Sequence, residues 1–374
     1  MTDSETTGSS RAGTRRAGVA VAIAVIAVAA AATVLVTHQR PTPEPSDAAS
    51  AVASTPETAT QETATTTDVS SAPTHDPRWQ IDAADVYGRT FAAFVAPTGS
   101  LQFDSGTNTV IDAGDVLVTA LGLPNPRTYL LDDARLVGIA ASDGAVLWSV
   151  SPDGGLNSCA GTPVRGEILC LDSFSSSPAF VAIGVQDGTV RRVPIPTGWL
   201  PYAIESDATS IYVLEGNPED SESTLHGGDV DALAGAWSLP ITAFSPYEGL
   251  DGTLIHIDGG RGVVTLGGEA AFFDPRTGTA IDNLELRSDT SVVDTGTGSE
   301  VWRLQEPFAG STTVGETVYT VADTSVTASD ADTGDDKWVW PVPTDASGST
   351  VSGSIVATES GVYFLSSAVM VHLE

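Results

Sequence analysis

The chain has 374 residues, 41% of them hydrophobic, which is enough for a sizeable packed core. Its 48 acidic against 16 basic residues leave a formal net charge of −32, and Lys337 is its single lysine. That balance excludes nucleic acid and an anionic surface as electrostatic partners, since both require a basic footprint, and it makes the chain soluble and self-repelling.

In chain order, residues 1–17 carry Arg11, Arg15 and Arg16, followed by an unbroken apolar run from Gly18 to Val36. At about 1.5 Å per residue, that run just spans a bilayer core. The arginine flank predicts a cytoplasmic N-terminus (1–17), a transmembrane helix (18–36) and everything after it outside, so the localisation expected is a single-pass protein of the cell membrane. Val34-Leu35-Val36 continues the apolar run past Ala29 to Ala32, which favours an uncleaved anchor over a cleaved signal peptide. Residues 37–75 are dominated by Thr, Ser, Ala and Pro and contain no aromatic residue. Such a segment cannot bury enough apolar surface to offset its ordering entropy, so it reads as a disordered stalk.

Residues 76–374 read as all-β. Apolar residues come in runs of four to six, as in 115–119, 210–214, 253–257, 317–321 and 361–365, broken by Gly, Asp, Pro and Ser and lacking helical periodicity. The pattern Asp-x-x-Thr-Gly-x-x-x-Trp recurs between such runs. It is complete at Asp330, Thr333, Gly334 and Trp338 and at Asp294, Thr297, Gly298 and Trp302; it lacks the Trp at Asp274, Thr277 and Gly278. Worn copies lie at Asp143-Gly144 with Trp148 and at Asp187-Gly188 with Arg192, and an irregular one near Trp237. Each reads as a strand, a tight turn in which Gly accepts positive φ while Asp or Thr bonds the turn backbone, and a strand bearing a large aromatic.

The position four after each glycine falls at 148, 192, near 237, at 282, 302 and 338. Intervals of 44, 45 and 45 residues, and later 36, match a four-stranded propeller blade; the 20 residues between Asp282 and Trp302 imply a truncated blade or a shifted register. Counting turns favours seven blades, with six or eight also compatible. Trp79-Gln80-Ile81 looks like the Trp strand that the last blade lacks after Val369–Leu373, so the N-terminal strand is expected to close the ring.

The repeated pattern resembles the pyrrolo-quinoline-quinone-like (PQQ-like) β-propeller repeat, shared by quinoprotein dehydrogenases and non-enzymatic relatives. The resemblance spans about residues 76–374, and anchor, stalk and propeller together resemble the non-enzymatic, membrane-anchored propellers of actinobacteria. It implies that Trp79, Trp148, Trp302 and Trp338 pack between blades. Quinoproteins of this fold hold their cofactor with adjacent cysteines and a calcium ion; here the two cysteines are eleven apart, and no calcium-ligand or catalytic Asp segment can be matched.

Cys159 and Cys170 flank Pro163 and Arg165-Gly166, which read as a hairpin turn, and an extracytoplasmic setting permits a disulfide between them. The acid-dense turn at Asp330, Asp332, Asp335 and Asp336 departs from a calcium loop and reads as a solvated blade turn. His226 with Asp229 and Asp231 is the one conceivable metal cluster, although an exposed polar loop is the simpler reading. No nucleophile elbow, phosphate loop or zinc-protease motif is present. No catalytic residue, cofactor or metal ligand is expected. The function expected is non-catalytic binding or scaffolding with a cell-envelope protein; the alternative is a small-molecule receptor or quinone-dependent enzyme using the central channel. Glu215, Glu219, Asp220 and Glu222 form a candidate contact loop.

Overall fold

The computed structural model describes residues 72–98, 110–127, 130–151, 158–172, 175–217, 222–241, 255–266, 269–287, 290–304, 310–322, 324–344 and 350–374. The chain divides into two units, residues 1–67 and 68–374, and the first lies outside the described residues. So do the expected span at 18–36 and most of the stalk. No helix among the described residues is long and apolar enough to cross a membrane.

Strand β1 (Trp79–Asp82) leads into a short helix, α1 (Ala83–Tyr87). Seven sheets follow among the described residues. The first holds β2 (Ala93–Val95), β3 (Ile111–Asp112), β4 (Val116–Asn125), β5 (Leu130–Ala140) and β6 (Val146–Val150). The second runs through β7 (Ser158–Cys159), β8 (Glu167–Asp172), β9 (Ala179–Gly184) and β10 (Val190–Pro194). The third runs through β11 (Pro201–Ser206), β12 (Ile211–Asn217), β13 (Glu222–Gly228) and β14 (Trp237–Ile241).

Two three-stranded sheets come next: β15 (Ile255–Asp258), β16 (Arg261–Leu266) and β17 (Glu269–Phe273), then β18 (Leu284–Leu286), β19 (Ser291–Asp294) and β20 (Glu300–Arg303). The sixth holds β21 (Ser311–Val314), β22 (Thr317–Ala322), β23 (Ser325–Asp330) and β24 (Asp336–Pro341). The seventh holds β25 (Gly353–Thr358), β26 (Gly361–Ser366) and β27 (Val369–His372). Its fourth strand is β1, paired antiparallel to β27 with Trp79 opposite His372. The expected closure is therefore present. The short 20-residue interval coincides with the three-stranded fifth sheet.

The sheets are antiparallel meanders in chain order, except that β1 supplies the last strand of the seventh and β3 pairs with β4 beside β2 in the first, and successive sheets stack face to face. Six apolar clusters hold them, each drawing on two neighbouring sheets: Val118 and Leu136 meet Val181 and Ile183, for example, and Tyr363 and Leu365 meet Leu117 and Val137. First strands approach one another, since β11 touches both β7 and β15 and β21 touches β25. This is a β-propeller.

The arrangement explains the sequence pattern. A middle strand such as β9, with Phe180, Val181, Ala182 and Ile183 all fully buried, is covered on both faces by neighbouring sheets and loses polar alternation. The peripheral β10 keeps alternating exposure. Residues 73–75 run beside the outer edge of β24, with Val339 N–H donating to Pro73 O and His75 N–H to Val339 O, so that edge is covered.

Candidate interaction faces

The repeat residues build the joints between sheets. Trp148, on β6, donates its indole N–H to Val185 O at 2.7 Å, and its ring lies against Gly188 in the third-to-fourth-strand turn of the next sheet. Gly188 has φ +68°, and a Cβ there would fall 2.9 Å from the indole, so both the backbone angle and the space require glycine. Trp79 repeats this with Ala141 O and Gly144, and Trp237 with Pro275 O and Gly278. In all three the acceptor carbonyl lies three residues before the glycine. Trp148 and Trp237 are also backed by cross-strand partners without a Cβ, Gly138 and Gly227, so each indole lies between two glycines.

Trp338 departs from this pattern because the seventh sheet has no third-to-fourth turn, its fourth strand being β1. Its indole N–H donates to the Glu374 carboxylate at 2.7 Å, Tyr319 O–H donates to the other oxygen at 2.6 Å, and His75 stacks on the ring at 4.3 Å. Trp302 is buried among Val263, Phe272 and Val292, and space is open above Gly334, so it does not rest on the following turn. Arg192 occupies the worn Trp position of the second sheet. It reaches within that sheet to Asp172, which is fully buried, at 2.6 Å, and to Ser177 O at 2.8 Å.

The turn aspartates act as backbone caps. Asp330 Oδ1 accepts from the N–H groups of Asp332 and Thr333, Asp294 Oδ1 from Gly296 and Thr297, and Asp274 Oδ1 from Arg276. Gly334, Gly298 and Gly278 close the turns by donating to the carbonyls of Asp330, Asp294 and Asp274. These backbone donors hold the three carboxyls below their ordinary range. The acid-dense stretch at 330–336 is thus a solvated turn in this structure.

Cys159 and Cys170 are opposite one another on β7 and β8 and form a disulfide. Arg165 and Gly166, at φ +53° and +81°, turn the connecting hairpin.

The His226 cluster differs from its sequence reading. His226 is buried on β13 rather than exposed in a loop; its ring stacks on Trp199 at 3.7 Å, and Nε2 lies 3.3 Å from Glu215 Oε1. Burial pushes the imidazole below its ordinary value, partly opposed by Glu215. Asp229 and Asp231 are drawn away to Arg165 and Arg191, at 2.8 and 2.6 Å. Sequence spacing missed this because the partners of all three groups come from other segments of the chain. No group of three metal-ligating side chains occurs among the described residues.

In the candidate contact loop, Glu215 turns inward and its Oε2 accepts from Leu200 N–H at 3.3 Å. Glu219 and Asp220 lie outside the described residues, as does the side chain of Glu222. His372 is buried on β27, with Nε2 2.7 Å from Glu374 O and no hydrogen-bond partner at Nδ1.

Sequence reasoning did not single out Glu205, on the axis-lining strand β11. Its Oε1 accepts from the N–H groups of Gly161 at 2.6 Å and Ser206 at 2.8 Å, tying the third sheet to the second. Burial pushes this carboxyl up to about 7 from its ordinary 4.5, against those two donors. A folded-state value above the unfolded one means that the stabilisation is complete below about pH 4.5 and is lost as pH rises through about 7. The shift sets an upper bound of about 3 kcal/mol. Glu205→Gln keeps the acceptor and removes the ionisation. Urea unfolding at pH 5 and pH 8 should show a gain for the variant at pH 8 that is absent at pH 5; an identical pH dependence in both proteins would refute the assignment.

No family model matches the chain, and no curated protein does. Among solved structures it is similar to BamB from Moraxella catarrhalis, at 15% identity over 71% of this chain and 83% of that chain, with a TM-score of 0.36. It is also similar to a chain of a nidogen/laminin complex (14% identity, 69% and 95% covered, TM-score 0.32). KlHsv2 with loop 6CD replaced by a Gly-Ser linker gives 10% identity, 67% and 70% covered, and a TM-score of 0.29. At TM-scores of this size, the propeller assignment rests on the chain's own sheet order and inter-sheet contacts.

Proposed function

We propose that this chain is a membrane-anchored, extracytoplasmic propeller of seven PQQ-like blades with a non-catalytic binding or scaffolding role in the cell envelope. The observation that carries the reading is how the described acidic groups are engaged. Asp274, Asp294 and Asp330 cap turns, Asp172 holds Arg192, Asp229 and Asp231 hold Arg165 and Arg191, and Glu205 bonds two backbone amides. Groups tied in this way maintain a rigid frame, and a rigid frame presenting two rims of loops suits protein binding.

The alternative is a receptor or quinone-dependent enzyme using the central channel, where a propeller offers a concave site. Cross-linking the full-length chain in its native cells, followed by purification and mass spectrometry, separates the two. Recovery of one dominant envelope protein is the expected result. Recovery of no protein, together with a small ligand that raises the melting temperature of the purified chain, would overturn the binding reading. Carbonate extraction of membranes tests the anchor, which should leave the chain in the pellet.

A further inference from the structure

We infer that the closure of the ring is an acid-sensitive latch: a proton taken up by the buried His372 loosens β1 from β27 and frees residues 73–75 from β24, while the other sheets stay folded. The latch is a property of the closure itself and stands apart from the binding role proposed above.

The closure joins three segments of the chain. β1 is four residues long and pairs with β27 from Trp79 opposite His372 to Asp82 opposite Val369. No turn connects these two strands, so β1 can leave without taking the rest of its sheet with it. Just before β1, residues 73–75 lie on the edge of β24 through two backbone hydrogen bonds, at 3.0 and 2.9 Å, with the His75 ring stacked on Trp338. His75 Nε2 also donates to Leu373 O at 2.7 Å, next to His372.

His372 sits in this closure without a counter-charge. It is 2% exposed, and its ring packs between Trp79 of β1, at 5.4 Å, and Tyr363 of β26, at 4.6 Å. A Cβ at Gly361 would fall 2.4 Å from Nε2, so the box is tight. Nε2 lies 2.7 Å from Glu374 O, and a carbonyl only accepts, so Nε2 carries the proton; Nδ1 is then a bare lone pair with no hydrogen-bond partner.

A proton added at Nδ1 makes a cation that the surrounding groups do not compensate. Arg78, whose N–H donates to His372 O, brings a like charge. The Ala141 carbonyl of the first sheet already accepts the Trp79 indole N–H at 2.9 Å. The Glu374 carboxylate is held by Trp338 and Tyr319, and the Asp112 and Asp143 carboxylates cap the Gly114 and Ala145 N–H groups. Tyr363 is neutral, burial pushing its hydroxyl up. Burial likewise pushes the His372 imidazole below its ordinary 6.5, helped by Arg78 and opposed by the Glu374 and Ala141 carbonyls.

Departure of β1 takes Trp79 off the ring and lets water reach it, so protonation drives the opening. A folded value below the unfolded one means that the closure is fully stable above about pH 6.5 and loses stability as pH falls through the folded value. Opening uncovers the outer edges of β27 and β24, two strand edges of the kind to which an extended segment adds.

Hydrogen exchange of the purified full-length chain, resolved by mass spectrometry and corrected for the intrinsic pH dependence of amide exchange, tests this at pH 7.5, 6 and 5. Opening takes up one proton, so exchange in residues 73–82 and 369–372 should rise by up to about tenfold per pH unit below 6.5, while β4, β5, β8 and β9 change by less than about twofold. His372→Gln keeps a donor for Glu374 O and removes the ionisation, so it should abolish the rise; His75→Gln should leave it in place. Histidine C2 exchange in the unmodified chain follows each imidazole separately and should show His372 titrating below 6.5. A titration at or above that value, no rise at residues 73–82, a rise shared equally by all sheets, or one that survives His372→Gln overturns the latch. Loss of the rise in His75→Gln overturns its assignment to His372. If His372→Gln does not fold, the C2 titration and the sheet-by-sheet exchange of the unmodified chain still decide.

Discussion

Replacing Trp148 with alanine is expected to cost about 3–5 kcal/mol of unfolding free energy, the range for truncating a well-packed core tryptophan. The indole is 7% exposed, wedged between Gly138 of its own sheet and Gly188 of the next. Those glycines have no side chain with which to fill the void, so little relaxation is available. Trp148→Phe separates the two contributions. It keeps most of the ring contact but leaves Val185 O without its 2.7 Å indole donor, which should cost about 1–3 kcal/mol. Denaturant unfolding followed by far-ultraviolet circular dichroism measures both. A Trp148→Ala loss below about 1 kcal/mol would mean that the indole does not hold the sheets together.

The second large effect is expected at Arg192. Asp172 is completely buried and accepts from Arg192 Nη2 at 2.6 Å and from Ser175 N–H at 3.1 Å. Arg192→Met removes the cation and leaves a buried carboxylate, a loss of about 3–5 kcal/mol. Removing the carboxylate as well, in Arg192→Met/Asp172→Ala, should recover much of that loss, since the penalty lies in the uncompensated charge. The same unfolding measurement decides it: a double variant as unstable as the sum of the two single ones would show that the pair is not coupled. The ion pair also accounts for the break in the repeat, because an arginine at the tryptophan position fastens its strand within its own sheet.

The cluster around His226 shows where local reading failed. In sequence, His226, Asp229 and Asp231 look like one loop of potential ligands. In the fold, β13 carries the histidine inward against Trp199 and Glu215, while the two aspartates face Arg165 and Arg191 of the second sheet. Three or five residues of separation say nothing about partners that arrive from other strands. Glu205 was missed for the same reason. Its neighbour Gly161 is 44 residues away, and nothing in the local pattern marks a carboxyl whose only special feature is the burial another sheet imposes.

By itself the sequence determined the strand-turn-strand unit, its repetition and the closure by the N-terminal strand. Each of these depends on residues within one turn or on a spacing: Asp caps its own turn, Gly takes a positive φ, and a β-branched or aromatic run extends. Even the wedge was partly legible, since Trp148 precedes Gly188 by 40 residues and Trp237 precedes Gly278 by 41, while Trp302 precedes Gly334 by 32 and does not dock on it. Only the tertiary structure decided which charges are neutralised, which carboxyl is pushed toward neutrality, and which apolar side chains remain uncovered. Those properties are set by desolvation and by opposing surfaces, which the packing of one sheet on the next creates and no single segment contains.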